Sequence, residues 1–181
     1  MKEVEIKIEI ADADKAMETL GTNGCVFGEP IVQQDIVYIP NEVPTVPCPA
    51  GTNVLRIRKQ GEKNILTLKR SDAGNHLSKL ELETEISDPV EMDKIIKLLG
   101  FKIIADTTKT RRKCRTEKYE ICVDEIKDLG SFLEIEEMTE GDAVDAQNEM
   151  LQFLVGLGFD IANRKSVGYD VLWVQKYGNA K

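Results

Sequence analysis

The sequence predicts an α+β fold: an antiparallel sheet closed into a β-barrel with a charged interior, and helices packed outside. Three observations carry this expectation. Strand after strand alternates between charged and apolar residues. Amphipathic helices follow the strands and need an apolar sheet face against which to bury their stripes. The charged parity is charged on nearly every strand, where an ordinary solvent face mixes in Ser, Thr and other neutral residues. The 181 residues suit a single domain, 1–181, of two similar halves joined near residue 101.

The opening stretch sets the pattern. Glu3, Glu5, Lys7 and Glu9 fall on one parity, and Val4, Ile6, Ile8 and Ile10 on the other. A strand sends successive side chains to opposite faces, so one face is apolar and the other acidic around a lysine. Asp12 then caps a helix with Ala13, Ala16, Met17 and Leu20 as its stripe and Gly21 as its stop. An extended stretch runs from Cys25 to Ile39. From Pro40 to Asn53 the chain holds Pro40, Pro44, Pro47, Pro49 and Gly51, a composition that predicts a long surface loop, either a lid or a plain insertion. Val54–Arg58 and Ile65–Arg70 form a hairpin about Gly61 and Glu62, with Arg56 and Arg58 on one parity and Thr67 and Lys69 on one parity of the returning strand. Ser71–Asn75 is a turn-rich loop.

Lys79–Ile86 repeats the opening alternation, with Glu81 and Glu83 on its charged face. Asp88 and Pro89 start a helix with Met92, Ile95, Ile96 and Leu99 on its apolar side. Lys109, Arg111 and Lys113 share a parity of the strand Ile103–Arg115, and Glu120, Cys122 and Asp124 share one on the strand after it. Gly130 opens a hairpin into a strand with Glu134 and Glu136. A helix spans about Asp142 to Leu157, and a last one starts at Ser166 and runs to about Tyr177, its apolar residues making it a cover for the fold. Three times, Glu-x-Glu on a strand leads to a helix that reaches Leu-Gly: at Leu20-Gly21, Leu99-Gly100 and Leu157-Gly158. This reads as repetition of a β-rich unit plus helix.

Composition narrows the function. Hydrophobic residues make up 41%, with no apolar run long enough to span a bilayer and a charged strand at the start, so a soluble cytoplasmic protein is expected. Cys25, Cys48, Cys114 and Cys122 lack CxxC spacing and His76 stands alone, which argues against zinc and for buried free thiols. A net charge of −8 disfavours nonspecific nucleic-acid binding, yet a local cationic cluster can still hold a small anion. Bases and acids together on one face suit phosphate chemistry. Arginines offer bidentate donors, lysines point charges, and clustered carboxylates bind hard divalent cations. On pattern alone, an inward-turned channel and a salt-bridged outer face are the two readings.

Glu3-x-Glu5-x-Lys7 resembles the N-terminal signature of the CYTH superfamily, the triphosphate tunnel metalloenzymes. Gln34-Asp35-x-x-Tyr38, Leu55-Arg56-Ile57-Arg58, Leu66-Thr67-Leu68-Lys69, Lys79-x-Glu81-x-Glu83, Lys109-x-Arg111, Asp124, Leu129-Gly130-x-Phe132-x-Glu134-x-Glu136 and Lys165-Ser166-x-x-Tyr169 are similar to family motifs in family order. The resemblance implies a closed tunnel. It implies Mg²⁺ or Mn²⁺ at Glu3, Glu5, Glu134 and Glu136, with Asp124, Glu81 and Glu83 as further candidates. It implies that Lys7, Arg56, Arg58, Lys69, Lys109 and Arg111 hold the triphosphate, with Lys7, Lys109 and Arg111 the catalytic candidates. Lys79 stands where the family often has arginine and is the weaker candidate. The motif order is most similar to the class IV adenylyl cyclase branch, which implies ATP converted to cyclic AMP and pyrophosphate. A triphosphatase acting on thiamine triphosphate, inorganic triphosphate or a nucleoside triphosphate needs almost the same site. A non-catalytic nucleotide- or polyphosphate-binding module is the third reading. The resemblance is compatible with a homodimer.

Overall fold

The computed structural model describes residues 2–44, 46–72 and 75–178, and the side chains of these except 2, 71, 72 and 75–79. The predicted site residue Lys79 thus has a described backbone, while its side chain lies outside the described set. Along the chain run β1 (Lys2–Ile10), α1 (Ala13–Thr22), β2 (Ile31–Pro40), β3 (Val54–Gln60), β4 (Lys63–Asp72), β5 (Asn75–Glu85) and α2 (Pro89–Leu98). They are followed by β6 (Phe101–Arg115), β7 (Glu120–Ile126), β8 (Gly130–Thr139), α3 (Ala143–Gly156), β9 (Arg164–Lys165) and α4 (Tyr169–Tyr177).

The helix starts follow the capping chemistry. Asp12, Asp88 and Asp142 each sit in extended backbone and accept from backbone N–H groups of the first turn, which otherwise have no partner inside the helix. The stops are mixed. Gly100 and Gly158 adopt φ of +89° and +87° directly after the C-caps Leu99 and Leu157, a conformation that a Cβ penalises. Gly21 is no stop: α1 runs through it to Thr22, and the positive φ falls at Gly24.

The strands form one antiparallel sheet in the order β5-β4-β3-β2-β6-β7-β8-β1-β9. The predicted closed barrel is overturned here. β5 and β9 are the two ends of the order, no pairing joins them among the described residues, and the sheet stays open. Alternation fixes which face each side chain takes. Closure depends on tilt, stagger and whether the first and last strands meet, which no single strand's pattern encodes. The fold is α+β with an open nine-stranded sheet, and the enclosed tunnel is withdrawn with the barrel.

The chain divides into two compact bodies. One holds residues 1–31 and 109–166, the other 32–108 and 167–181. In the first, Val4, Ile6 and Ile8 of β1, Ile121 and Val123 of β7, and Leu133 and Ile135 of β8 are buried on the apolar parity. Here α3 contacts β1 and β8, and α1 contacts β7 and β8, with Leu20, Met150 and Leu154 fully buried. In the second, Tyr38, Ile57 and Ile96 form a cluster with Ile36, Leu55, Leu66, Met92 and Phe101, which seats α2 on β2–β4. A separate cluster of Val37, Ile39, Ile104 and Ala105 packs against Val43, Val46 and Cys48 of the Pro-rich segment and Trp173 and Val174 of α4. The Pro-rich segment is a surface loop, as expected, whose half-buried Val43, Val46 and Cys48 pack onto this cluster, and α4 covers it through Trp173 and Val174.

Candidate metal and anion site

Antiparallel register builds the site in the first body. β1 and β8 place Glu5 opposite Glu136 and Lys7 opposite Glu134, and β7 places Glu120 opposite Glu136 from the other side. Like charges directly opposite one another destabilise a sheet. Burial and the neighbours Glu134, Glu3 and Glu5 push the Glu136 carboxyl up to about 7, with Arg111 offsetting part of the rise. Oxygens of Glu3, Glu5 and Glu136 lie within 4.8 Å of one another. All three donors are hard carboxylate oxygens. This donor set fits a hard divalent cation such as Mg²⁺ or Mn²⁺.

One pair of residues further along, the same face turns cationic. Lys7 Nζ lies 2.9 Å from Glu134 Oε1, and Arg111 donates to the other Glu134 oxygen. Arg111 also clasps Asp124 with both Nε, at 2.7 Å, and Nη2. Lys109 Nζ is 3.5 Å from Asp124 Oδ2. These groups are not in water: Lys7 is 4% exposed, Lys109 6%, Arg111 7%, Asp124 0% and Glu134 5%. Burial alone would push Glu134 up, but Lys7, Arg111 and Lys109 hold it well below the ordinary carboxylate range. Burial likewise works against the charge on Arg111, and Asp124 and Glu134 more than restore it. Lys7, Lys109 and Arg111 thus gather about the carboxylates of Asp124 and Glu134.

The second body carries its own charged face. Arg56 Nη2 is 3.1 Å from Glu83 and 3.6 Å from Glu81, and donates to Thr67 Oγ1. Lys69 Nζ is 2.9 Å from Glu81. Arg58 forms a fork with Asp35 through Nε and Nη2, each at 2.7 Å. Burial and the adjacent Arg58 lower the pKa of Arg56, while Asp35, Glu81 and Glu83 oppose that.

The predicted metal candidates therefore separate. Glu3, Glu5 and Glu136 come together, Glu134 and Asp124 are held by cations, and Glu81 and Glu83 are the partners of Arg56 and Lys69 in the other body. Asp35 was not among the expected site residues. Its place follows from the strand register, which sets it opposite Arg58 on the face that also carries Gln33.

Residues 1–166 match the family model described as the CYTH domain, and the chain belongs to that family. A relative from Methanocaldococcus jannaschii, carrying the name "Putative adenylate cyclase MJ0240", is 32% identical over 179 residues, which cover 92% of this chain and 96% of the relative. Among solved structures, a conserved hypothetical protein from Pyrococcus furiosus is 28% identical with a TM-score of 0.78, covering 94% of this chain and 99% of that one. A protein from Hippeastrum is 16% identical with a TM-score of 0.63, covering 99% of this chain and 96% of that one, and shows the shared fold. No helix among the described residues is long and apolar enough to cross a membrane.

Proposed function

We propose that this protein is a divalent-metal-dependent enzyme acting on a triphosphate, and that its reaction converts ATP to cyclic AMP and pyrophosphate. The observation that carries the reading is the adjacency, on one sheet face, of the Glu3–Glu5–Glu136 trio and the buried Lys7–Lys109–Arg111 cluster. Carboxylates in register opposition cost stability unless a cation joins them, and clustered lysines and arginine on the same face suit a polyanion. The cyclase name of the M. jannaschii relative supports the choice of reaction.

In that reaction the ribose 3′-oxygen attacks the α-phosphorus, the bond to the bridging oxygen of the β-phosphate breaks, and pyrophosphate leaves. The hydroxyl proton passes to water. Lys7, Lys109 and Arg111 orient the phosphate chain and stabilise charge on the departing pyrophosphate. Glu3, Glu5 and Glu136 would hold Mg²⁺ or Mn²⁺, which neutralises phosphate charge and lowers the pKa of a hydroxyl. Arg56, Arg58 and Lys69 of the second body are further candidate phosphate ligands.

Hydrolysis at the terminal phosphate is the second reading. It draws on the same charges with water as nucleophile, and the name of the Hippeastrum protein ascribes a dominant triphosphatase activity to that protein. Incubation with ATP, thiamine triphosphate or tripolyphosphate and Mg²⁺ or Mn²⁺, with product identification, separates the two. Cyclic AMP with pyrophosphate is the expected outcome. Orthophosphate with the matching diphosphate, and no cyclic AMP, replaces the cyclase with a phosphatase, and no turnover of any triphosphate sinks both. Glu5→Gln and Glu136→Gln are expected to lower metal-dependent turnover by at least about a hundredfold. Activity retained in both would remove the trio from the site.

A further inference from the structure

Asp124 and Asp35 share one arrangement. Each stands opposite an arginine in antiparallel register, Asp124 facing Arg111 across β6–β7 and Asp35 facing Arg58 across β2–β3. Each clasps that arginine through both carboxylate oxygens, taking Nε and Nη2 of the guanidinium. The pairs lie in different bodies of the chain, and their order is reversed, with arginine first in one and aspartate first in the other. A fork through Nε and one terminal nitrogen fixes the guanidinium plane, and Nη1 takes no part in either fork. Such a pair fixes direction as well as charge.

We propose that Asp124 and Asp35 are positioning residues, holding Arg111 and Arg58 in fixed planes to receive phosphate oxygens, and that Asp124 is not a metal ligand. The inference rests on the triphosphate reading above. Two further observations support it. Asp124 lies outside the trio whose oxygens converge within 4.8 Å. Its carboxylate faces Arg111 and Lys109, and a divalent ion bound there would meet two cations at close range.

The competing reading is that both aspartates only balance charge, and the two readings differ in sign. Removing a charge-balancing carboxylate makes the face more cationic and tightens polyanion binding. Removing a positioning carboxylate releases the guanidinium and weakens it, even with one negative charge fewer. Calorimetric titrations with tripolyphosphate and, separately, with Mn²⁺ would decide, using wild type, Asp124→Asn, Asp35→Asn and the metal-site control Glu5→Gln. Both asparagine variants are expected to bind tripolyphosphate about tenfold more weakly. They should hold Mn²⁺ within about twofold of wild type, while Glu5→Gln loses at least about tenfold in Mn²⁺ affinity. Tripolyphosphate binding that is equal or tighter in the asparagine variants overturns the inference, as does an Asp124→Asn protein that loses Mn²⁺ as Glu5→Gln does. Because Asp124 is fully buried, Asp124→Glu is the second variant should Asn prevent folding. It shifts the fork by one methylene, and the same split is expected of it: weaker tripolyphosphate, unchanged Mn²⁺. A wild type that binds neither probe overturns the triphosphate reading itself. Wild-type binding with unshifted variants overturns this inference alone.

Discussion

Arg111 sits at the centre of the first body's charged face, donating to Asp124 and Glu134 with 7% of its surface exposed. Desolvating an ion pair is expensive, so such a cluster adds little net stability over an apolar one of equal volume. Removing one partner is a different matter, because it leaves buried charge uncompensated. Arg111→Met strips Asp124 and Glu134 of the guanidinium they share. We expect it to lower unfolding stability by about 3–5 kcal/mol in urea titrations at pH 7. Lys94→Met, which breaks the exposed pair with Glu91 on α2, should cost about 0.3 kcal/mol. Equal effects from the two variants would mean that the Arg111 cluster is solvated in solution. At this scale much of the site was legible. Charged residue types on one parity included Lys7, Lys109, Arg111 and all three members of the acidic trio, and the family resemblance singled them out. The division of the acids into a convergent trio and cation-held partners was not legible, because it depends on which residues stand opposite across strands. Asp35 was missed for the same reason: its meaning comes from Arg58, more than twenty positions later in the chain.

α2 is seated on its body by an apolar stripe and by a polar contact to Tyr38. Met92 and Ile96 pack on Tyr38, Leu55, Ile57 and Leu66, and the fully buried Tyr38 donates its phenol proton to Asp93 at 2.9 Å. Burial raises the pKa of Tyr38 above its ordinary value, and the bond to Asp93 raises it further. A raised acid is stabilising while its proton is held. The contribution is therefore complete below the ordinary tyrosine pKa of about 10, and is lost as pH climbs beyond it. Tyr38→Phe should cost about 1 kcal/mol at pH 8, and the gap between variant and wild type should shrink above about pH 10. Urea unfolding at several pH values between these limits measures it, and a gap that stays constant through the alkaline range would show that the phenol is not coupled to α2. The helices themselves were readable to within a few residues from Asp caps and apolar spacing. The final helix starts three residues later than expected, at Tyr169, with Gly168 at its N-cap making no side-chain bond. Gly21 misled because a glycine inside a helix costs only about 1 kcal/mol, which the packing of Ala16 and Leu20 outweighs.

For the molecule as a whole, sequence alternation gave the two faces of the sheet but not its boundary conditions. Each strand reports its own parity, and the open order from β5 to β9 depends on strand ends whose residues carry no signal of pairing partner. β6 has a special place in that order. Its residues 101–108 belong to one compact body and 109–115 to the other, and it lies between β2 and β7 in the sheet. A proline in an interior strand removes a ladder hydrogen bond and clashes with its neighbours. Thr108 is exposed, so replacing it disturbs the backbone and little side-chain packing. Thr108→Pro should therefore lower the unfolding free energy by about 3 kcal/mol or more, whereas Thr108→Val stays within about 0.5 kcal/mol of wild type. Because the strand runs through both bodies, the loss should register alike in two probes, the near-ultraviolet signal of Trp173 in one body and thiol protection of the buried Cys122 in the other. Loss of only one signal would show that β6 serves as a covalent link between independently stable bodies, and the continuity of the strand would then carry no cooperative weight.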